Sequence, residues 1–65
     1  MRPDRRIRVY LADDHPMFRE ALVRAVRERP ELEFVGASGD GREALDELRR
    51  LRPDVAVLDL RMPSL

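Results

Sequence analysis

An α/β fold, a parallel sheet crossed by helices, is what this chain of 65 residues predicts, and three observations predict it. Apolar residues alternate near the start, at Ile7, Val9 and Leu11. Two later stretches carry them at three- and four-residue spacing, and an unbroken run, Val55-Ala56-Val57-Leu58, follows the second. Alternation marks a half-buried strand, three-to-four spacing a helix face, and a short unbroken run a strand covered on both sides. Strand, helix, strand, helix, strand in that order means parallel pairing through right-handed crossovers.

The first strand spans residues 6–12, with Ile7, Val9 and Leu11 on one face. Pro16 suits the first turn of a helix, where its missing N–H costs nothing. From there Phe18, Ala21, Leu22, Ala25 and Val26 form an apolar stripe predicted to be core, while Arg19, Glu20, Arg24, Arg27 and Glu28 face water. Pro30 stops this helix. Residues 32–37 form the second strand, ended by Gly36, Gly39 and Gly41. Asp40 with Glu43 three residues on predicts a capping box for a second helix, whose stripe is Ala44, Leu45, Leu48 and Leu51. Pro53 punctuates its end, and residues 55–60 form the third strand, predicted to be buried on both faces.

Composition bounds the function. The chain is at most one domain, and 43% apolar with 40% charged residues suits a small core under well-solvated helix faces. Thirteen basic and thirteen acidic residues cancel, which leaves no electrostatic footprint for nucleic acid or an anionic membrane. All the basic residues are Arg; Lys and Thr do not occur, and neither does Cys, so thiolate metal sites and disulfides are excluded. No apolar run approaches a membrane span and no signal peptide is evident, so a cytoplasmic location is expected.

Strand order locates the chemistry. The unbroken run and the alternating segment favour the third strand beside the first, with the second strand outside the first: order 2-1-3. The helices then cover opposite faces, and ligands in such sheets sit beyond the strand carboxyl ends, where the order reverses. That point lies between Asp13-Asp14 and Asp59. Neighbouring strands are about 4.8 Å apart, so three carboxylates converge; uncompensated, they repel, and one would take up a proton at raised pKa. Mg²⁺, which favours one or two carboxylates plus water and phosphate oxygens, removes the problem. The positive N-terminal end of the first helix favours an anion nearby. Phosphoryl chemistry with a carboxylate nucleophile fits this set.

Taken singly, Asp14 reads as a helix cap, Asp13 as a loop acid and Asp59 as a turn residue. Their coincidence at two strand ends favours a site. His15 reads as a helix-start residue rather than a ligand, because hard Mg²⁺ takes oxygen.

The segments VYLADDHPMFREAL, GDGREAL and PDVAVLDLRMP resemble the receiver domain of bacterial two-component response regulators, above all the subfamily with a C-terminal helix-turn-helix DNA-binding domain of the nitrate-regulator type. The resemblance runs from Ile7 to Leu65. It implies a partial flavodoxin-like (CheY-like) fold in which residues 1–65 are the N-terminal half of a receiver. It further implies Asp59 as phospho-acceptor, with Mg²⁺ held by Asp14 directly, by Asp13 through water, by Asp59 and by the backbone carbonyl of Arg61. The implied partner is a sensor histidine kinase. The implied role is signal reception rather than enzymatic turnover, beyond Mg²⁺-dependent self-phosphorylation, and DNA is reached only through the C-terminal domain. Receivers also use a Ser or Thr ending a fourth strand and a Lys ending a fifth; this chain has neither Lys nor Thr, and Ser38 and Ser64 are not at the switch position.

Three other readings compete. The GASGDG stretch departs from the dinucleotide fingerprint in its glycine spacing and leaves Asp13-Asp14 unexplained. A haloacid-dehalogenase-type phosphatase needs an acid where this chain has Arg61. A non-catalytic interaction piece, forming a homodimer or pairing with another receiver through the outer edge of the third strand, is the remaining alternative.

Overall fold

The computed structural model describes residues 5–63. The elements are β1 (Ile7–Ala12), α1 (Pro16–Arg27), β2 (Leu32–Ser38), α2 (Gly41–Leu51) and β3 (Val55–Leu58). All pairing is parallel and the sheet order is β2-β1-β3, as the sequence predicts.

Because successive side chains of a strand point to opposite faces, central β1 feeds two small cores. Val9 and Leu11 pack with Val26, Leu22 and Phe34 under α1. Tyr10 and Ala12 pack with Ala44, Leu48 and Leu51 under α2, where Met62 joins them. The helices therefore cover opposite faces. Met62, read from sequence only as part of a loop, is a core residue.

The pairing of β1 with β2 skips one residue between Val9 and Tyr10. Beside this irregularity a Cβ on Gly36 would stand 3.1 Å from Cε1 of Tyr10. The glycine makes room for the buried phenol, whose hydroxyl donates to Glu47 Oε1 at 2.6 Å.

Helix ends depart from expectation in detail. Asp40 does cap α2, accepting from the N–H of Arg42. Glu43, however, does not reach back to the Asp40 N–H. The Ser38 hydroxyl takes that N–H at 3.0 Å and donates to Glu43, so buried Ser38 stands between the two halves of the capping box. At the other end Arg52 adopts φ 49°, ψ 59° and donates its N–H to Leu48 O. The Arg8 guanidinium bonds the Leu51 and Arg52 carbonyls, satisfying acceptors the helix leaves free.

Several expectations for β3 and for the two helix stripes fail. The β3 strand ends at Leu58 rather than residue 60, Leu60 is 87% exposed, and the whole of β3 is exposed rather than covered on both faces. Phe18, placed in the core by its spacing, is 56% exposed, and Ala21, Ala25 and Leu45 are exposed as well. The reason is common to β3 and Phe18: β3 is the outer strand among the described residues, and nothing beyond it closes over that end of the sheet.

Candidate functional site

The β1–β3 register builds the site. Ala12 pairs with Leu58, and the Asp59 N–H donates to Ala12 O at 2.9 Å. Both chains then leave the sheet, so Asp13 and Asp59 emerge side by side. The Asp13 N–H is held by Ser38 O of β2 at 3.0 Å, and the Arg19 guanidinium donates to Asp13 O at 2.7 Å. Arg19, read from sequence as a solvated residue, thus ties α1 to the acidic turn. Its position four residues after His15 was the available signal, since that spacing returns to the same helix face.

Asp13, Asp14 and Asp59 are brought together as predicted, and one further residue joins them. Single ligand atoms of Asp13, Asp14, His15 and Asp59 all lie within 4.8 Å of one another. Asp13 is 6% exposed; its Oδ1 accepts the His15 N–H at 2.8 Å and lies 3.0 Å from His15 Nδ1. The Asp14 reading as a helix cap is overturned: His15 is the N-cap of α1, without a side-chain cap bond. Asp59 has a side chain only 9% exposed. Its Oδ1 accepts the Arg61 N–H at 3.0 Å, with Arg61 Nε at 3.5 Å, and its Oδ2 is buried without a hydrogen-bond partner.

Despite the crowding of acids, which raises a carboxyl where nothing compensates it, Asp13 is held below the usual carboxylate range. The His15 N–H bond is the main cause, outweighing burial, with the His15 ring and Arg61 adding to it. A backbone N–H aimed at the carboxylate compensates the charge locally.

Asp13, His15, Asp59 and Arg61 line an open cleft of ≈ 580 Å³ whose other walls are apolar, including Met17, Phe18, Leu22 and Leu58. The N-terminal turn of α1 faces it. A buried carboxylate oxygen with no partner costs on the order of 1–3 kcal/mol or more. The three carboxylates gathered around such an atom suit a hard divalent cation.

Residues 9–65 match the family described as response regulator receiver domain. This chain belongs to the response regulator receiver family. Its receiver segment is 45% identical over 60 residues to "Probable transcriptional regulatory protein NarL" of Mycobacterium tuberculosis, covering 92% of this chain and 28% of that protein. It is 48% identical over 61 residues to "Protein-glutamate methylesterase/protein-glutamine glutaminase 2" of Anaeromyxobacter dehalogenans, covering 94% of this chain and 18% of that one. The receiver fold superposes on the signal receiver domain of the putative response regulator NarL from M. tuberculosis with TM-score 0.88 and 44% identity, over 94% of this chain and 49% of that chain. The receiver described here thus spans less than a third of these curated relatives and about half of a solved receiver domain.

Proposed function

We propose that the chain is the phospho-accepting first half of a receiver from a response regulator of transcription, with Asp59 taking a phosphoryl group from a sensor histidine kinase. The observation that carries this is Asp59 Oδ2, buried at the mouth of the cleft with no partner while Oδ1 is fixed by the Arg61 N–H. One carboxylate oxygen is oriented and the other is free to attack. The Oδ2–phosphorus bond forms as the bond from phosphorus to the donor breaks, leaving an aspartyl phosphate. In this reading Asp13, Asp14, Asp59 and the Arg61 carbonyl hold Mg²⁺, Asp14 directly and Asp13 through water. Mg²⁺, when bound, neutralises the clustered acids and the phosphoryl oxygens. His15 N–H favours the ionised form of Asp13.

Relatives of this receiver include both transcriptional regulators and methylesterases, so the output is the finer part of the proposal. The likeness to NarL and to the DNA-binding activator DevR/DosR of M. tuberculosis, 46% identical, favours a helix-turn-helix output domain. Fourth and fifth strands and that output domain then belong to the complete protein, located in the cytoplasm. No helix among the described residues is long and apolar enough to cross a membrane.

The test is a Mg²⁺ titration followed by amide chemical shifts. Asp59→Asn and Asp14→Asn each weaken binding, because each removes one of few protein charges on the ion. Intact mass after treatment with a small phosphodonor then shows at most slow, low-yield modification, lost in Asp59→Asn. The 65 residues include no Lys and no Thr to bind the phosphoryl oxygens, and one such donor is worth roughly 3 kcal/mol in the transition state. Equal Mg²⁺ affinity in wild type and Asp59→Asn overturns the site.

A second reading is favoured by the exposed Val55, Val57 and Leu58 of β3. An apolar edge strand pairs readily with another strand, so the chain would associate with a second copy or with another receiver rather than signal by itself.

A further inference from the structure

We propose that His15 is a nitrogen ligand of the acidic site, making it a mixed site that takes imidazole-seeking divalent ions such as Ni²⁺ and Zn²⁺ in preference to Mg²⁺. This rests on the reading of the Asp cluster as a cation site and adds to it a selectivity that the three carboxylates alone do not have.

His15 Nδ1 stands 3.0 Å from Asp13 Oδ1, 3.1 Å from Asp14 Oδ1 and 3.7 Å from Asp59 Oδ2. A ring nitrogen so placed shares the space into which the carboxylates converge. Ligands on opposite sides of an ion with bonds of about 2.1 Å are about 4.2 Å apart, and the four candidate atoms lie within 4.8 Å of one another. Small side-chain rotations close that difference. Asp59 Oδ2 supplies an independent pointer to a ligand here, since its side chain is more than nine-tenths buried and this oxygen has no partner.

The imidazole is able to change roles without dismantling the turn. It is 60% exposed and caps no helix N–H with its side chain. Asp13 Oδ1 is held separately by the His15 backbone N–H, so it keeps a donor when Nδ1 turns to an ion. The neutral ring coordinates through the Nδ1 lone pair while Nε2 carries the proton; a proton on Nδ1 beforehand leaves to solvent. Hard Mg²⁺ gains little from a nitrogen ligand, whereas affinity for imidazole rises toward Ni²⁺, Cu²⁺ and Zn²⁺.

The chain makes the test clean, because it holds a single His and no Cys. Calorimetric titrations of the untagged chain with Ni²⁺ and with Mg²⁺ are compared for wild type, His15→Ala and Asp59→Asn, and the His15 ring protons are followed by NMR during the Ni²⁺ titration. Expected are paramagnetic shifts of those ring protons and a loss of at least ~10-fold in Ni²⁺ affinity in His15→Ala with no fall in Mg²⁺ affinity. Asp59→Asn weakens both ions. Equal Ni²⁺ affinity in wild type and His15→Ala, with Mg²⁺ still bound, overturns the role of His15 and leaves the acidic site standing. Binding of neither ion to the wild type overturns the cation site itself. Ni²⁺ affinity that falls in His15→Ala but not in Asp59→Asn places Ni²⁺ on the imidazole alone and also overturns the mixed site. If His15→Ala loses its helical circular dichroism, unshifted ring protons in the wild type overturn the proposal.

Discussion

Arg8 and Asp54 hold each other reciprocally across β1 and β3. The Arg8 N–H donates to Asp54 Oδ2 at 2.8 Å, and the Asp54 N–H donates to Arg8 O at 2.9 Å. The pair sits one residue before the first β1–β3 partners, Val9 and Val55. It therefore starts the register that places Asp59 beside Asp13 at the far end.

Asp54→Ala removes one of these bonds at an exposed position. The expected cost is about 0.5–1.5 kcal/mol in urea unfolding. Mg²⁺ affinity of the folded fraction stays unchanged, since Asp54 lies at the opposite end of β3 from the acids. A Mg²⁺ affinity that drops as far as in Asp14→Asn contradicts this separation.

Arg52 occupies the left-handed region at the end of α2, with φ 49°. A side chain costs roughly 1–2 kcal/mol there, and glycine is relieved of that strain. Arg52→Gly is expected to raise stability by up to ~1 kcal/mol, part of the gain being offset by the greater freedom of glycine in the unfolded chain. Thermal unfolding at matched concentration reads it, and a lower midpoint refutes it.

Tyr10 is the only tyrosine of the chain, so tyrosinate absorbance reports on it alone. Burial, and then the hydrogen bond and charge of Glu47, push its phenol well above the usual value. An acid whose folded pKa is raised contributes stability that is complete below the unfolded pKa of about 10 and is lost as pH rises above it. The folded chain is expected to form no tyrosinate until well above the pH at which the urea-unfolded chain titrates, and to lose stability on that alkaline side. Tyr10→Phe flattens this part of the pH profile. Identical titrations in folded and unfolded chains would falsify the assignment.

Val57 is exposed on β3, the outer strand among the described residues. If that edge joins copies, light scattering at micromolar concentration gives a mass above 7.6 kDa, and Val57→Lys lowers it, because a charge on an edge strand opposes pairing. A well-folded wild-type monomer rules the association out.

Element types and their order follow from local rules, which is why periodicity and helix-start residues in the sequence located all of them to within a few residues. Alternation at Ile7, Val9 and Leu11 requires a strand whatever it packs against. Pro16 and Asp40 mark helix starts through groups within their own turns. The meeting of Asp13 and Asp59 was also readable, since parallel strands with right-handed crossovers leave few places for two strand ends to converge. Burial was not local in this sense. Phe18 and β3 have the composition of core, but exposure depends on what neighbours supply, and the described residues bring nothing over that edge. The direction of the Asp13 shift and the place of His15 likewise depended on three-dimensional geometry. Whether crowded carboxylates repel or are compensated depends on where one N–H and one ring nitrogen point, and the turn between β1 and α1 aims both of them at Asp13.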